Sequence, residues 1–140
     1  MTTKKDLIRF LDAQKGVYET ALKEIKRGKK TGHRMWYIFP QISGLGFSET
    51  SRFYAIQNQA EAMEYLNDGI LGTRLVEISR ELLNLRTNNP VEVFGSVDSL
   101  KLKSSMTLFS LLKPTNPVFQ KVLDKFYGGK KDGNTLQLIK

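Results

Sequence analysis

The chain contains no cysteine. That excludes disulfides and thiolate metal sites, and it leaves the redox compartment unreadable. Histidine and tryptophan occur once each, as His33 and Trp36. One imidazole and no thiol leave only carboxylates as further metal ligands, and the Asp and Glu spacings match no ligand motif. No run approaches the ~18 apolar residues that cross a bilayer, so a membrane is not an expected partner. The first residues, MTTKKDLIRFLD, lack the apolar run and small-residue cleavage site of a signal peptide. We therefore expect a cytoplasmic location, no metal and no cofactor. Alternation of apolar and polar residues never persists, apart from a hint at Val91 to Phe94. Internal repeats, low-complexity segments and long linkers are also missing.

What remains fits one domain over residues 1–140. The length suffices for a real core, and a hydrophobic fraction of 40% with 26% charged is ordinary for a globular protein. The net charge of +8 favours anionic partners such as phosphorylated small molecules or nucleic acid.

Helical periodicity dominates. Asp6 to Lys26 reads as one long amphipathic helix, with Leu7, Leu11, Tyr18, Leu22 and Ile25 on one face. Thr3 and Asp6 resemble a capping box, Gly16 weakens the middle, and Gly28 stops the end. Lys23, Lys26, Arg27, Lys29 and Lys30 crowd that end. They fit either a solvated helix terminus offsetting the macrodipole or a polyanion-docking patch. Ser48 is placed to cap a helix reaching about Ile56, and Asn58 another reaching Leu66. Leu71, Leu75, Ile78, Leu82 and Leu85 form the clearest stripe, so Leu75 and Ile78 should be nearly buried. Asn89-Pro90 with Glu92, and Asn116-Pro117, look like helix starts. Between them Asp98 is expected to cap a helix to about Leu112, with Val97 and Leu102 as a hydrophobic staple. Phe119, Val122, Leu123 and Phe126 make a last apolar face before Gly128-Gly129, and a final turn follows Asn134. The fold class is all-α: about six or seven helices with irregular buried loops.

Three stretches stand out: GHRMWYIFPQISGLGFS, DSLKLKSSMTLF and FYGGKKDGNTL. Together with the first helix and ILGTRL, they resemble the family numbered eighteen-ten among domains of unknown function. The resemblance spans nearly the whole chain. It implies a mostly helical single domain and no established activity. The calpastatin-like label sometimes attached to such proteins has no support in this sequence, which is neither long, disordered nor repetitive. The family pattern often carries a second Trp after the His, where Arg34 stands here; that exchanges a stacking surface for an anion contact.

The candidate ligand-binding residues are His33, Trp36, Gln41, Gly44, Gly46, Ser48, Lys101, Ser104, Ser105 and Asp132. His33 suits general acid–base work or a structural role. Lys101 and Ser104 lie one turn apart, as a Ser-Lys nucleophile requires, but in the reverse of the S-x-x-K order. Serines there equally suit bonding to buried backbone. Gly44 to Ser48 could present backbone N–H groups to an anion or simply make a tight turn. Trp36 near Arg34 could stack a base or belong to the core. Three functions remain open: binding or processing a small anionic, nucleotide-like or phosphorylated ligand; a basic nucleic-acid-binding module; and a structural interaction domain. All three blocks should meet in space, with Gln41 against the Lys101 to Thr107 helix. Oligomeric state is not legible.

Overall fold

A computed structural model describes residues 4–32 and 35–139. Among these the chain forms a single all-α domain with no strand beyond an isolated Ile42–Ile56 bridge. In chain order the helices are α1 (Lys4–Gln14), α2 (Tyr18–Lys26), α3 (Met35–Ile38), α4 (Glu49–Phe53), α5 (Gln59–Asn67), α6 (Leu71–Leu83), α7 (Pro90–Ser110), α8 (Val118–Tyr127) and α9 (Gly133–Leu138). Six have seven or more residues, and the three short ones lie in the irregular stretches.

The expected single first helix is two. Gly16 adopts φ +73, a left-handed angle that ends α1 instead of merely weakening it. Its turn closes through Val17 N–H to the Gln14 carbonyl at 2.9 Å. The Thr3 cap lies outside the described residues. Ser48 and Asn58 cap as expected, accepting from Ser51 and Glu61 N–H respectively. The helix after Ser48 ends at Phe53, however, because the chain must extend to pair Ile56 N–H with the Gln41 carbonyl at 2.9 Å.

The expectations around Asp98 hold in outline and are displaced in detail. Asn89 caps by accepting from Val91 N–H, and Pro90 occupies the first turn. Glu92 accepts from the Thr87 hydroxyl, so it does not complete a box on Asn89. Gly95, at φ 82 and ψ 168, is non-helical and divides α7 in two: Val91 to Phe94 belongs to a short first helix, and a second starts after Gly95 and runs to Ser110. The expected separate helix is therefore present, but it starts just after Gly95, so Asp98 lies in its first turn and not at its cap, and Val97, 66% exposed, forms no staple.

The core is organised by α6, α7 and α8. Leu75 and Ile78 are buried as expected, as are Leu102, Met106 and Phe109 on α7 and Phe119, Val122 and Leu123 on α8. Phe10, Tyr65, Phe109 and Phe119 form an aromatic column through α1, α5, α7 and α8, with ring centroids 5.0, 5.6 and 5.6 Å apart. α2, α6 and α8 run the same way. Tyr18 at the start of α2 bonds Glu77 and the Arg74 carbonyl in α6. At the other end Gly28 lies by Leu85, and Lys125 of α8 donates to the Leu85 carbonyl at 2.7 Å.

Candidate functional site

The three sequence blocks do meet. Between the first and second, the Lys101 ammonium lies over the Trp36 ring, 5.0 Å from its centroid. Between the second and third, Asp132 N–H donates to the Thr107 hydroxyl at 2.9 Å, and the Ser104 hydroxyl lies 3.3 Å from Asp132 Oδ2. The first block also meets α9 two residues past the third block, where a Cβ on Gly44 would sit 3.1 Å from Leu138 Cδ2.

The hub of this seam is Asp132, not Gln41. Asp132 Oδ2 also accepts from Thr135 N–H and the Thr135 hydroxyl, so it caps α9 while tying it to α7. Gln41 is buried, but its Nε2 donates only to the Phe39 carbonyl, at 3.4 Å. No bond joins it to α7 among the described residues. The Gln41 carbonyl accepts from Ile56 N–H, so both of its described bonds stay within its own loop.

The remaining candidates divide by what they touch. Gly46 is half-buried because a Cβ there would stand 2.6 Å from Ser51 and 2.7 Å from Trp36 Cη2. Its role is to admit the Trp36 ring. Gly44, at φ +105, admits Leu138. The Ser48 hydroxyl accepts from Ser51 N–H, the group an anion at this turn would otherwise take. Ser104 turns towards Asp132 and its own helix carbonyl at Leu100, whereas the Lys101 amine points to Trp36 and to Asp98 Oδ1 at 3.4 Å. The two do not form a nucleophile pair. Ser105 is fully buried, and its hydroxyl has no hydrogen-bond partner among the described residues. His33 lies outside the described residues. Among those described, no three His, Asp or Glu side chains gather as a metal site would require, and no helix is long and apolar enough to cross a membrane.

Sequence reasoning missed Glu24. It is a buried carboxylate in the last turn of α2, where cations belong. Glu24 Oε1 accepts from Thr31 and Gly32 N–H, at 3.2 and 3.1 Å, and Oε2 accepts from the Thr31 hydroxyl at 2.9 Å. It thereby fixes the segment that leads to His33. Lys30 is buried beside it and bonds the Gly32 carbonyl, so it is no docking residue. The available signal was an acid flanked by Leu22 and Ile25 in an otherwise basic helix end. Burial alone would raise the Glu24 pKa. The bonds from Gly32 and Thr31, helped by Lys30, outweigh it and hold the group below its ordinary value. A depressed carboxylate stabilises the fold above its unfolded pKa, and that contribution is lost as pH falls through the folded value. Glu24→Gln should therefore lower the thermal midpoint near neutrality, with the gap to wild type closing below about pH 4. A gap independent of pH would show that the charge is not what matters.

Other buried polar groups serve packing. Gln14 Nε2 donates to the Tyr37 carbonyl and the Tyr65 hydroxyl, and Gln14 Oε1 accepts from Arg74. Arg9 joins α1 to α5 through Glu61 at 3.1 Å. A groove of about 730 Å³ runs between α6 and the turn before α8, lined by Val76, Glu77, Arg80, Pro114 and Pro117 among others. None of the candidate residues lines it.

Residues 4–139 match the family described as "Protein of unknown function (DUF1810)". No curated protein matches significantly. Among solved structures, the chain is similar to the conserved hypothetical protein Rv1873 from Mycobacterium tuberculosis. The two share 42% identity over 96% of each chain, with a TM-score of 0.93.

Proposed function

Because this chain belongs to the DUF1810 family, whose description assigns no activity, we propose a function from the seam alone: the protein binds a small anionic ligand, phosphorylated or nucleotide-like, where Trp36 meets Lys101. The observation that carries this reading is the Lys101 ammonium held over the Trp36 ring at the junction of the blocks. An ammonium has three donors. Asp98 engages Lys101 at 3.4 Å, a loose pair that leaves donors for an anion. The Trp36 ring, half-buried, offers a planar surface beside that charge.

Trp36 is the sole tryptophan, so its emission reports on this place and no other. Titration with inorganic phosphate and with nucleoside mono- and diphosphates should give a saturable change for at least one of them. Lys101→Gln should abolish it and leave the thermal midpoint within a few degrees of wild type. A flat response to every ligand, or one unaltered in Lys101→Gln, overturns the assignment.

A further inference from the structure

The parallel arrangement of α2, α6 and α8 brings three helix C-termini to one end of the domain. Lys23, Lys26, Arg27 and Lys29 from the end of α2 and Arg86 after α6 are all exposed there. None of these five side chains makes a hydrogen bond or ion pair among the described residues. The contact between Gly28 and Leu85 joins the two groups, and Lys125 adds a sixth charge through its bonds to the Leu85 carbonyl and Asn88.

The simplest account is that these cations offset helix dipoles, and magnitudes decide against it. Each terminus carries about −0.5 charge, so three supply about −1.5. The nearby carboxylates are few. Glu24 is buried and bonded to its own loop, with Lys30 beside it. Glu92 is bonded to Thr87, and Asp124 to Gln120. Six cations against two exposed carboxylates and the dipoles leave a surplus of about two to three positive charges. Among the described residues no aromatic ring is exposed on these helix ends, and the exposed rings, Phe47 and Phe53, belong to the α4 region. The exposed large apolar side chains nearby are aliphatic: Val91, beside Lys29 in a groove, and Val97 and Leu100 further along α7. A charged surface whose exposed apolar side chains are aliphatic and not aromatic suits phosphates and not unstacked bases.

We propose that this basic end docks the phosphate backbone of duplex nucleic acid without reading sequence, at a place distinct from the Trp36–Lys101 seam. Five phosphate contacts give a salt slope of about −4.5, so affinity for a duplex should fall about 500-fold between 50 and 200 mM salt. The test is fluorescence anisotropy with two 25-base-pair DNA duplexes of unrelated sequence. Both should bind equally at 50 mM salt. Replacing Lys26, Lys29 and Arg86 together by Gln should weaken binding at 50 mM and cut the salt effect to about 12-fold. Lys23→Gln with Arg27→Gln, a second set on the same end, should act in the same direction, and thermal midpoints check that each variant folds. Absence of duplex binding at 50 mM overturns the proposal. So does an unchanged slope in both variant sets, or binding confined to phosphatidylserine-containing vesicles.

Discussion

Gly72→Ala is expected to destabilise the protein by about 3 kcal/mol, although Ala is the better helix former by about 1 kcal/mol. Gly72 lies in the first turn of α6, buried against the end of α5. A Cβ built there would fall 1.8 Å from the Leu66 carbonyl oxygen and 2.6 Å from its carbon. Those are backbone atoms, so no side-chain rotation gives way. The two helices must part, and the turn between them is already committed. Asp68 Oδ1 accepts from both Ile70 and Leu71 N–H at 2.9 Å, and Gly72 N–H donates to the Asp68 carbonyl at 3.0 Å. Urea denaturation at fixed pH measures the loss. A midpoint equal to or above wild type would mean that α5 and α6 separate at no cost.

Phe109→Ala should cost about 3–5 kcal/mol. Its ring is fully buried and sits between Tyr65 and Phe119 in the aromatic column. Removing it strips the contact that links α5 to α8 through α7, and the neighbours cannot close the gap without moving two further rings. Phe109→Leu, which keeps most of the volume, should lose markedly less. If Phe109→Ala shifts the urea midpoint by no more than Phe109→Leu does, the column contributes nothing beyond bulk.

Local signals were legible where one residue decides the outcome. Ser48 and Asn58 cap because a short side-chain oxygen reaches an N–H three residues on, whatever the rest of the fold does. The stripe from Leu71 to Leu82 needed only periodicity. Gly16 was ambiguous, because a glycine tolerates a helix interior and a left-handed break alike, and the choice belongs to the packing of Phe10 and Tyr18. Asp98 suits a cap by type, but the left-handed angle of Gly95 starts its helix a few residues earlier and leaves Asp98 in the first turn. The meeting of the three blocks was foreseen from their mixture of polar and apolar residues. Asp132 accepts from Ser104 as its carboxylate allows, whereas the Gln41 amide donates within its own loop, a choice that only the fold decides. Glu24 stayed hidden because its partners are backbone N–H groups, which no sequence pattern displays.

The tail helix α9 has six residues, far below the length at which a helix holds itself together in water. It persists through the Asp132 bonds to α7 and through Leu138 against Gly44. Its opening is thus a local event, much less costly than unfolding of the core behind it. When the tail lifts, Leu138 leaves with it, and the 43–47 loop beside Trp36 loses one wall. The wall at Gly44 is therefore only as durable as the Asp132 bonds that hold α9 to α7.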